Sequence, residues 1–333
     1  MFISGKEEMK KILFIGTGGT ISSKTSSAGL VPGIDTEALI TALPDIRQLC
    51  DPYALSLYSI DSSEMTPEHW LGMAKAVRDN YDSYDAFIIC HGTDTMAYSA
   101  AALSYLVQNS PKPIILTGSQ KPISFDITDA KRNLRDSLLC ALHPDSAGVN
   151  IVFDGKIIAG SRAVKEKTYS FDAFTSVNFP YLGYIKGDQV VYYIKQTKGE
   201  VRFYDKMDAS IFVLKPTPGM PLDIIDTLVR DYDCLVVECY GMGGLPKETA
   251  DRMAFALKKN DCLIVMTTQV AYEGSNTGVY EVGRYIGDKF EYLEAHDMAN
   301  AALYTKLMWM LGNFERSEYK KIFYTPVGFD IYG

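Results

Sequence analysis

The sequence predicts an α/β protein with a larger N-terminal domain, built on a mainly parallel sheet flanked by helices, and a smaller C-terminal α/β domain. Three observations lead there. Short β-rich apolar runs alternate with helix-like segments, one proline-rich stretch interrupts that alternation, and 333 residues exceed what one ordinary core organises.

The expected strands are Lys11-Ile-Leu-Phe-Ile15, Leu57-Tyr-Ser-Ile60, Asp85-Ala-Phe-Ile-Ile-Cys90, Pro113-Ile-Ile-Leu-Thr117 and Val149-Asn-Ile-Val-Phe153. Between them, Thr66 is placed to N-cap a helix with Pro67 in its first position and Glu68 in its first turn, and apolar positions recur through Val77. A second helix is expected from near Thr95 through Tyr105, and a third from Asp129 to Leu142. In residues 181–214, Val190-Val-Tyr-Tyr-Ile194 and Val201-Arg-Phe-Tyr204 are expected to form a hairpin that finishes the first domain. Lys215-Pro-Thr-Pro-Gly-Met-Pro221 holds three prolines and continues neither sheet nor helix. It reads as a linker at 215–221, between a domain at 1–214 and one at 222–333. Beyond it come Asp233-Cys-Leu-Val-Val-Glu238, a helix over 246–259, Cys262-Leu-Ile-Val-Met266 and a last helix from about Asp297 to Leu311.

Composition narrows the function. With 47% hydrophobic and 22% charged residues the chain is globular rather than disordered. Its net charge of −8 opposes nucleic acid and anionic membranes as partners. The N-terminal residues carry charges where a secretion signal needs an apolar stretch, so a cytoplasmic location is expected. Six cysteines are scattered without metal-ligand spacing, which fits a reducing compartment and no structural metal. Only His69, His91, His143 and His296 are available as imidazole bases, so a mechanism needing several histidines is excluded.

Ligands of open parallel sheets bind at the carboxyl ends of the strands. The strands deliver there Gly16-Thr-Gly-Gly-Thr20, Asp61-Ser-Ser63, His91-Gly-Thr-Asp-Thr95 and Thr117-Gly-Ser-Gln120, a rim of hydroxyls. Gly16-Thr-Gly-Gly-Thr20 is not a nucleotide loop: Ile21 stands at the third glycine of G-x-G-x-x-G and no Gly-Lys-Ser/Thr follows. A threonine in a rigid glycine bend is instead a candidate nucleophile. Thr93 and Asp94 pair a hydroxyl with a carboxylate suited to a substrate cation, while His91, at an apolar strand end, reads as a hydrogen-bonded structural residue. Lys165, from the basic run Gly160-Ser-Arg-Ala-Val-Lys165-Glu-Lys167, would polarise or deprotonate a hydroxyl if brought against this pair. Neutralising a lysine at pH 7 requires a pKa drop of about three units, roughly 4 kcal/mol, and Asp94 opposes it. Pairing of Asp94 with a substrate ammonium eases that conflict.

Thr17-Gly-Gly-Thr-Ile21 and His91-Gly-Thr-Asp-Thr95 resemble the two signature motifs of the bacterial-type L-asparaginases. Asp61-Ser-Ser-Glu-Met65, Met96-Ala-Tyr98, Thr117-Gly-Ser-Gln120, Arg162 with Lys165, Phe171-Asp-Ala-Phe174, Tyr240-Gly-Met-Gly243 and Thr305-Lys-Leu307 are similar to residues of the cytoplasmic, type I branch. The resemblance covers nearly the whole chain. It implies hydrolysis of the side-chain amide of L-asparagine to aspartate and ammonia through an acyl-enzyme, with no metal or organic cofactor. Thr17 would attack the amide carbon, and Thr93, Asp94 and Lys165 would form the second catalytic group. Asp61, Ser62 and Ser63 would grip the α-carboxylate and amine, with Asp94 taking the ammonium. A homodimer or dimer of dimers is implied, with the site completed across a subunit contact.

The sequence also departs from the family. The lid segment 22–32 lacks the tyrosine that family members carry to activate the nucleophile, which leaves Tyr58, Tyr169 or Tyr272 as substitutes. Some type I members bind asparagine at an effector site through a threonine, an arginine and a cysteine; Val164, Glu238 and Val270 stand at those positions, so no activation is expected. Two alternatives within the family are a broader glutaminase-asparaginase and an amidotransferase subunit, the latter expected to carry an added N-terminal domain whereas the first strand here starts by residue 11. A non-catalytic asparagine or aspartate sensor would need Asp61, Ser62, Ser63 and Asp94 but not Thr17, Thr93 and Lys165.

Overall fold

In a computed structural model, residues 9–26, 29–32, 35–279 and 281–332 are described, and for 22–26, 29–32 and 282 the backbone alone. The chain forms two compact units, one of residues up to 176 with 180–205, the other of 177–179 with residues from 206 onward.

In the first unit, Asp51–Ile60, Lys11–Gly18, Ala86–Cys90, Pro113–Thr117 and Gly148–Phe153 lie side by side in parallel. The sheet continues antiparallel through Lys156–Ala159, Gly183–Lys186 and Gln189–Tyr192. Central strands covered on both faces must be apolar along their whole length. Phe14, Ile15, Ile88, Ile89, Ile115 and Leu116 are accordingly all 0% exposed. The helix Pro67–Asp79 begins as its sequence dictates, Thr66 capping it together with the His69 side chain. Met96–Leu106 is buried almost all round, whereas Ala130–Leu142 keeps a polar outer face.

The second unit is a parallel sheet ordered Ile211–Leu214, Cys234–Cys239, Leu263–Thr268, Leu293–Glu294. Helices Ile224–Asp231, Lys247–Leu257 and Asn300–Asn313 belong to it. Leu228, Leu235, Val237, Met253, Ile264 and Met266 are among its core residues. Its most buried charges are Lys306 and Asp330, both side chains 0% exposed and 2.7 Å apart. Lys306 Nζ also donates to the Thr325 carbonyl at 3.0 Å, and Asp330 Oδ1 accepts from Val327 N–H at 2.8 Å.

Two expectations are corrected. Val190–Ile194 and Val201–Tyr204 do not pair with each other: Gln189–Tyr192 pairs back onto Gly183–Lys186, and Arg202–Phe203 pairs with Val107–Gln108. The signal lay in Gly187-Asp188, a two-residue turn in which Gly187 supplies a φ of +62°. The units also divide near 205 rather than at 215–221, because Ile211–Leu214 hydrogen-bonds to Cys234–Cys239 and so already belongs to the second sheet. The prolines merely connect that strand to its next helix. The expected lid at 22–32 falls partly outside the described residues; its described backbone pairs Ser23–Ser26 with Gly29–Pro32. The reading of the extreme N-terminus falls on residues outside the described ones.

Candidate active site

Thr17 sits one residue from the end of Lys11–Gly18, where the register against Asp51–Ile60 breaks. Gly18 and Gly19 then take φ of +102° and +81°, a region strained for any residue with a side chain. Close packing adds a second demand. A Cβ on Gly19 would stand 2.3 Å from Gly92 Cα, and one on Gly92 would stand 2.6 Å from Ser62 Oγ. Loops from three neighbouring strands therefore meet at contact distance, and Thr95 Oγ1 donates to the Ser62 carbonyl at 2.7 Å to tie two of them.

Thr17 is 1% exposed and its hydroxyl donates to the Cys90 carbonyl at 3.0 Å. Asp61 caps the turn Ser62–Glu64, its Oδ1 accepting from the Ser63 N–H at 2.9 Å and the Ser63 hydroxyl at 2.8 Å. These donors hold the Asp61 carboxyl below the usual range and keep an anion on the exposed rim.

Lys165 ends the strand Ala163–Lys165, opposite Phe174 of the antiparallel partner Phe174–Ser176. Its Nζ donates to Thr93 Oγ1 at 2.9 Å and to Asp94 Oδ1 at 2.6 Å. Thr93 is 5% exposed. Side-chain exposure is 15% for Lys165 and 65% for Asp94, so the lysine is shielded while its carboxylate faces solvent.

His91 is fully buried, and burial pushes its pKa down to about 4. Its Nδ1 meets the Gly92 carbonyl at 2.6 Å, which requires a proton on Nδ1 and leaves Nε2 to accept from Ser99 Oγ at 2.8 Å. Ser99 Oγ in turn accepts from Trp70 Nε1 at 3.0 Å. This neutral, fully bonded imidazole is the structural residue the sequence predicts.

The site residues are thus joined in different ways. Thr93, Asp94 and Lys165 bond directly; Ser62 joins them through Thr95 and Gly92; Thr17 joins through the Cys90 carbonyl; Asp61 and Ser63 bond to each other. The tyrosines considered for Thr17 lie in different settings. The Tyr58 hydroxyl lies over Gly72 with its ring edge-on to His69, Tyr169 is 81% exposed on the loop after Lys165, and Tyr272 belongs to the second unit.

Sequence reasoning placed Gln120 on the rim without a role, and missed Asp129 and Asn133. Thr93 Oγ1 donates to Gln120 Oε1 at 3.1 Å. The buried Asp129 carboxylate accepts from the backbone N–H of Gln120 and Lys121, and Asn133 Nδ2 donates to it and to the Gly118 carbonyl. The signal was present in Asp129 and Asn133, four apart on the first turn of a helix facing the Thr117–Gln120 loop. Among the described residues no group of three or more His, Cys, Asp or Glu side chains is arranged to hold a metal ion, and all six cysteines are free and buried. Nor, among them, is any helix long and apolar enough to cross a membrane.

A glycine-bent threonine and a lysine-bound threonine share one sheet rim, the arrangement of hydroxyls and amine that hydrolases of the acyl-transfer class require. Residues 11–198 match the family model described as Asparaginase, N-terminal, and residues 210–323 that of the Glutaminase/Asparaginase C-terminal domain. The chain is 34% identical over 329 residues to an L-asparaginase of Thermococcus kodakarensis, covering 97% of this chain and 99% of that protein. The solved structure of the thermostable L-asparaginase from that organism superposes with a TM-score of 0.90 at the same identity, over 97% of this chain and 99% of that one. L-asparaginase I from Vibrio cholerae superposes with a TM-score of 0.84 at 27% identity, covering 97% of this chain and 99% of that one. A component of the glutamyl-tRNA(Gln) amidotransferase of Pyrococcus furiosus is 32% identical over 327 residues, 92% of this chain and 73% of that protein. The chain belongs to the asparaginase family.

Proposed function

We propose that this protein hydrolyses the side-chain amide of L-asparagine to L-aspartate and ammonia through an ester on Thr17. The observation that carries the reading is the direct bonding of Lys165 to both Thr93 and Asp94 on the rim that also holds Thr17. Relatives named L-asparaginase, similar over the full chain, support it.

In the first step the Thr17 oxygen adds to the amide carbon, its proton is passed on to the amide nitrogen, and the C–N bond breaks with ammonia departing. In the second, water adds to the ester carbon, the C–O bond to Thr17 breaks, and the hydroxyl regains a proton as aspartate is released. Asp94 is suited to the substrate ammonium because its carboxylate is solvent-facing, and Asp61 with Ser62 and Ser63 offers an anion beside hydroxyls for the amino-acid head. Engagement of Asp94 by the substrate would weaken its hold on Lys165 and free that amine for Thr93. A cytoplasmic homodimer completes the reading.

Ammonia release by purified protein, compared between L-asparagine and L-glutamine, tests it. Thr17→Ala and Thr93→Ala are expected to abolish release with the fold intact by circular dichroism. Unchanged turnover in Thr17→Ala would refute the nucleophile, and equal turnover of both amides would favour the broader activity, since one methylene is worth only ~1–3 kcal/mol in a pocket.

A further inference from the structure

The carboxamide of Gln120 faces two partners of opposite character. Its Nε2 points at the carbonyls of Lys167 at 3.4 Å and Ser170 at 3.2 Å, and its Oε1 at Thr93 Oγ1. A flipped amide would set Oε1 against two carbonyl oxygens, so hydrogen-bonding capacity alone fixes its orientation. Everything downstream then follows. Oε1 can only accept, so Thr93 must donate its single proton to Gln120. Lys165 Nζ, 2.9 Å away, must in turn donate to a Thr93 lone pair. One lone pair on Thr93 Oγ1 remains for a further donor. Gln120 itself is pinned from behind, its N–H held by Asp129 Oδ2 at 2.9 Å and Oδ1 at 3.1 Å.

We infer that Gln120 is a positioning residue of this site: it turns the Thr93 proton away from Lys165, leaves an Oγ1 lone pair for the attacking water, and anchors the loop 166–173. The inference rests on the role given above to Thr93. It also identifies a competition. Thr93 can pass its proton to Lys165 only by leaving Gln120, so the carboxamide holds the hydroxyl as an acceptor until substrate alters the Lys165–Asp94 pair. The same amide couples this polarity to the hairpin loop, which Glu166 and Lys167 N–H bonds to the Ala173 carbonyl and the Lys167–Asp172 ion pair otherwise close.

Gln120→Glu separates positioning from simple support. An ionised carboxylate still accepts from Thr93 but faces the Lys167 and Ser170 carbonyls, and only its protonated form restores both directions of bonding. Asp129 at the Gln120 backbone adds to the pressure toward protonation. Lys165 and Lys121 oppose it, but Lys165 is already offset by Asp94 at 2.6 Å and the Lys121 ammonium lies over the Phe171 ring. The introduced carboxyl should therefore titrate above the ordinary ~4.3 by carbon-13 NMR. The kcat of the variant relative to wild type should be down about 10- to 100-fold at pH 8. It should recover toward wild type below the carboxyl pKa, with KM changed less than kcat. Amide exchange in 166–173, taken as the ratio of variant to wild type at each pH, should fall toward 1 over the same pH interval. A carboxyl titrating at or below its ordinary value, or a kcat profile parallel to wild type, overturns the proposal. Failure of the wild-type protein to release ammonia from L-asparagine would instead overturn the functional reading, because the titration and exchange measurements need no turnover.

Discussion

Gly19 lies so close to Gly92 that a Cβ on the first would stand 2.3 Å from the Cα of the second. This contact holds the loop of Thr17 against the loop of Thr93, and it exists only because both residues lack side chains. Gly19 also has a φ of +81°. Gly19→Ala should therefore combine backbone strain of about 1–3 kcal/mol with displacement of one loop. Unfolding in urea should show that loss, and kcat should fall about 10²-fold, the scale expected of a displacement near 1 Å. Gly287→Ala is the control: nothing lies within 4 Å of its Cβ, and its stability should stay within about 0.5 kcal/mol of wild type.

The Lys306–Asp330 pair, fully buried in the second unit, should be costly to break and cheap to replace as a whole. Lys306→Met leaves the Asp330 carboxylate buried without its cation, a loss of about 3–5 kcal/mol. The double change Lys306→Met with Asp330→Leu should lose markedly less than the sum of the single changes. A double-mutant cycle by chemical denaturation measures the coupling, and simple additivity would count against it.

His91 makes stability sensitive to acid. Its pKa is pushed down to about 4 in the folded protein, while an unfolded histidine titrates near ~6.5. Between those values the unfolded chain binds the additional proton, so folded stability falls as pH drops from about 6.5 to about 4, by about 3 kcal/mol from this residue. His91→Gln should be less stable at pH 7 yet lose less on acidification. An unfolding free energy measured at pH 7 and 4.5 for both proteins should reveal the difference in slope.

The rate in L-asparagine should be hyperbolic. Glu238, at the position where effector-binding relatives need a cation, is 8% exposed, and its Oε1 accepts from Asn300 Nδ2 at 3.0 Å and Tyr304 Oη at 2.6 Å. A carboxylate already committed within its own unit repels a second carboxylate ligand. Initial rates giving a Hill coefficient near 1 are expected, and a sigmoidal curve would overturn this.

The sequence by itself determined the strands, because buried parallel strands must be continuously apolar and short, as in Ala86–Cys90 and Pro113–Thr117. It also placed Thr17, Asp61, Thr93 and Asp94 on the rim, since the residues after each strand end are local, while the roles proposed for them came from the resemblance of the motifs. Only the tertiary structure decided partners across long separations. Strand pairing moved Ile211–Leu214 into the second unit and separated Val190–Ile194 from Val201–Tyr204, because hydrogen-bond ladders depend on which edges are open and not on local pattern. It brought Lys165 onto Thr93, far away in the chain, and gave Gln120 its role. That role was not legible in Thr117-Gly-Ser-Gln120, since a carboxamide acquires direction only from the donors and acceptors that folding sets around it.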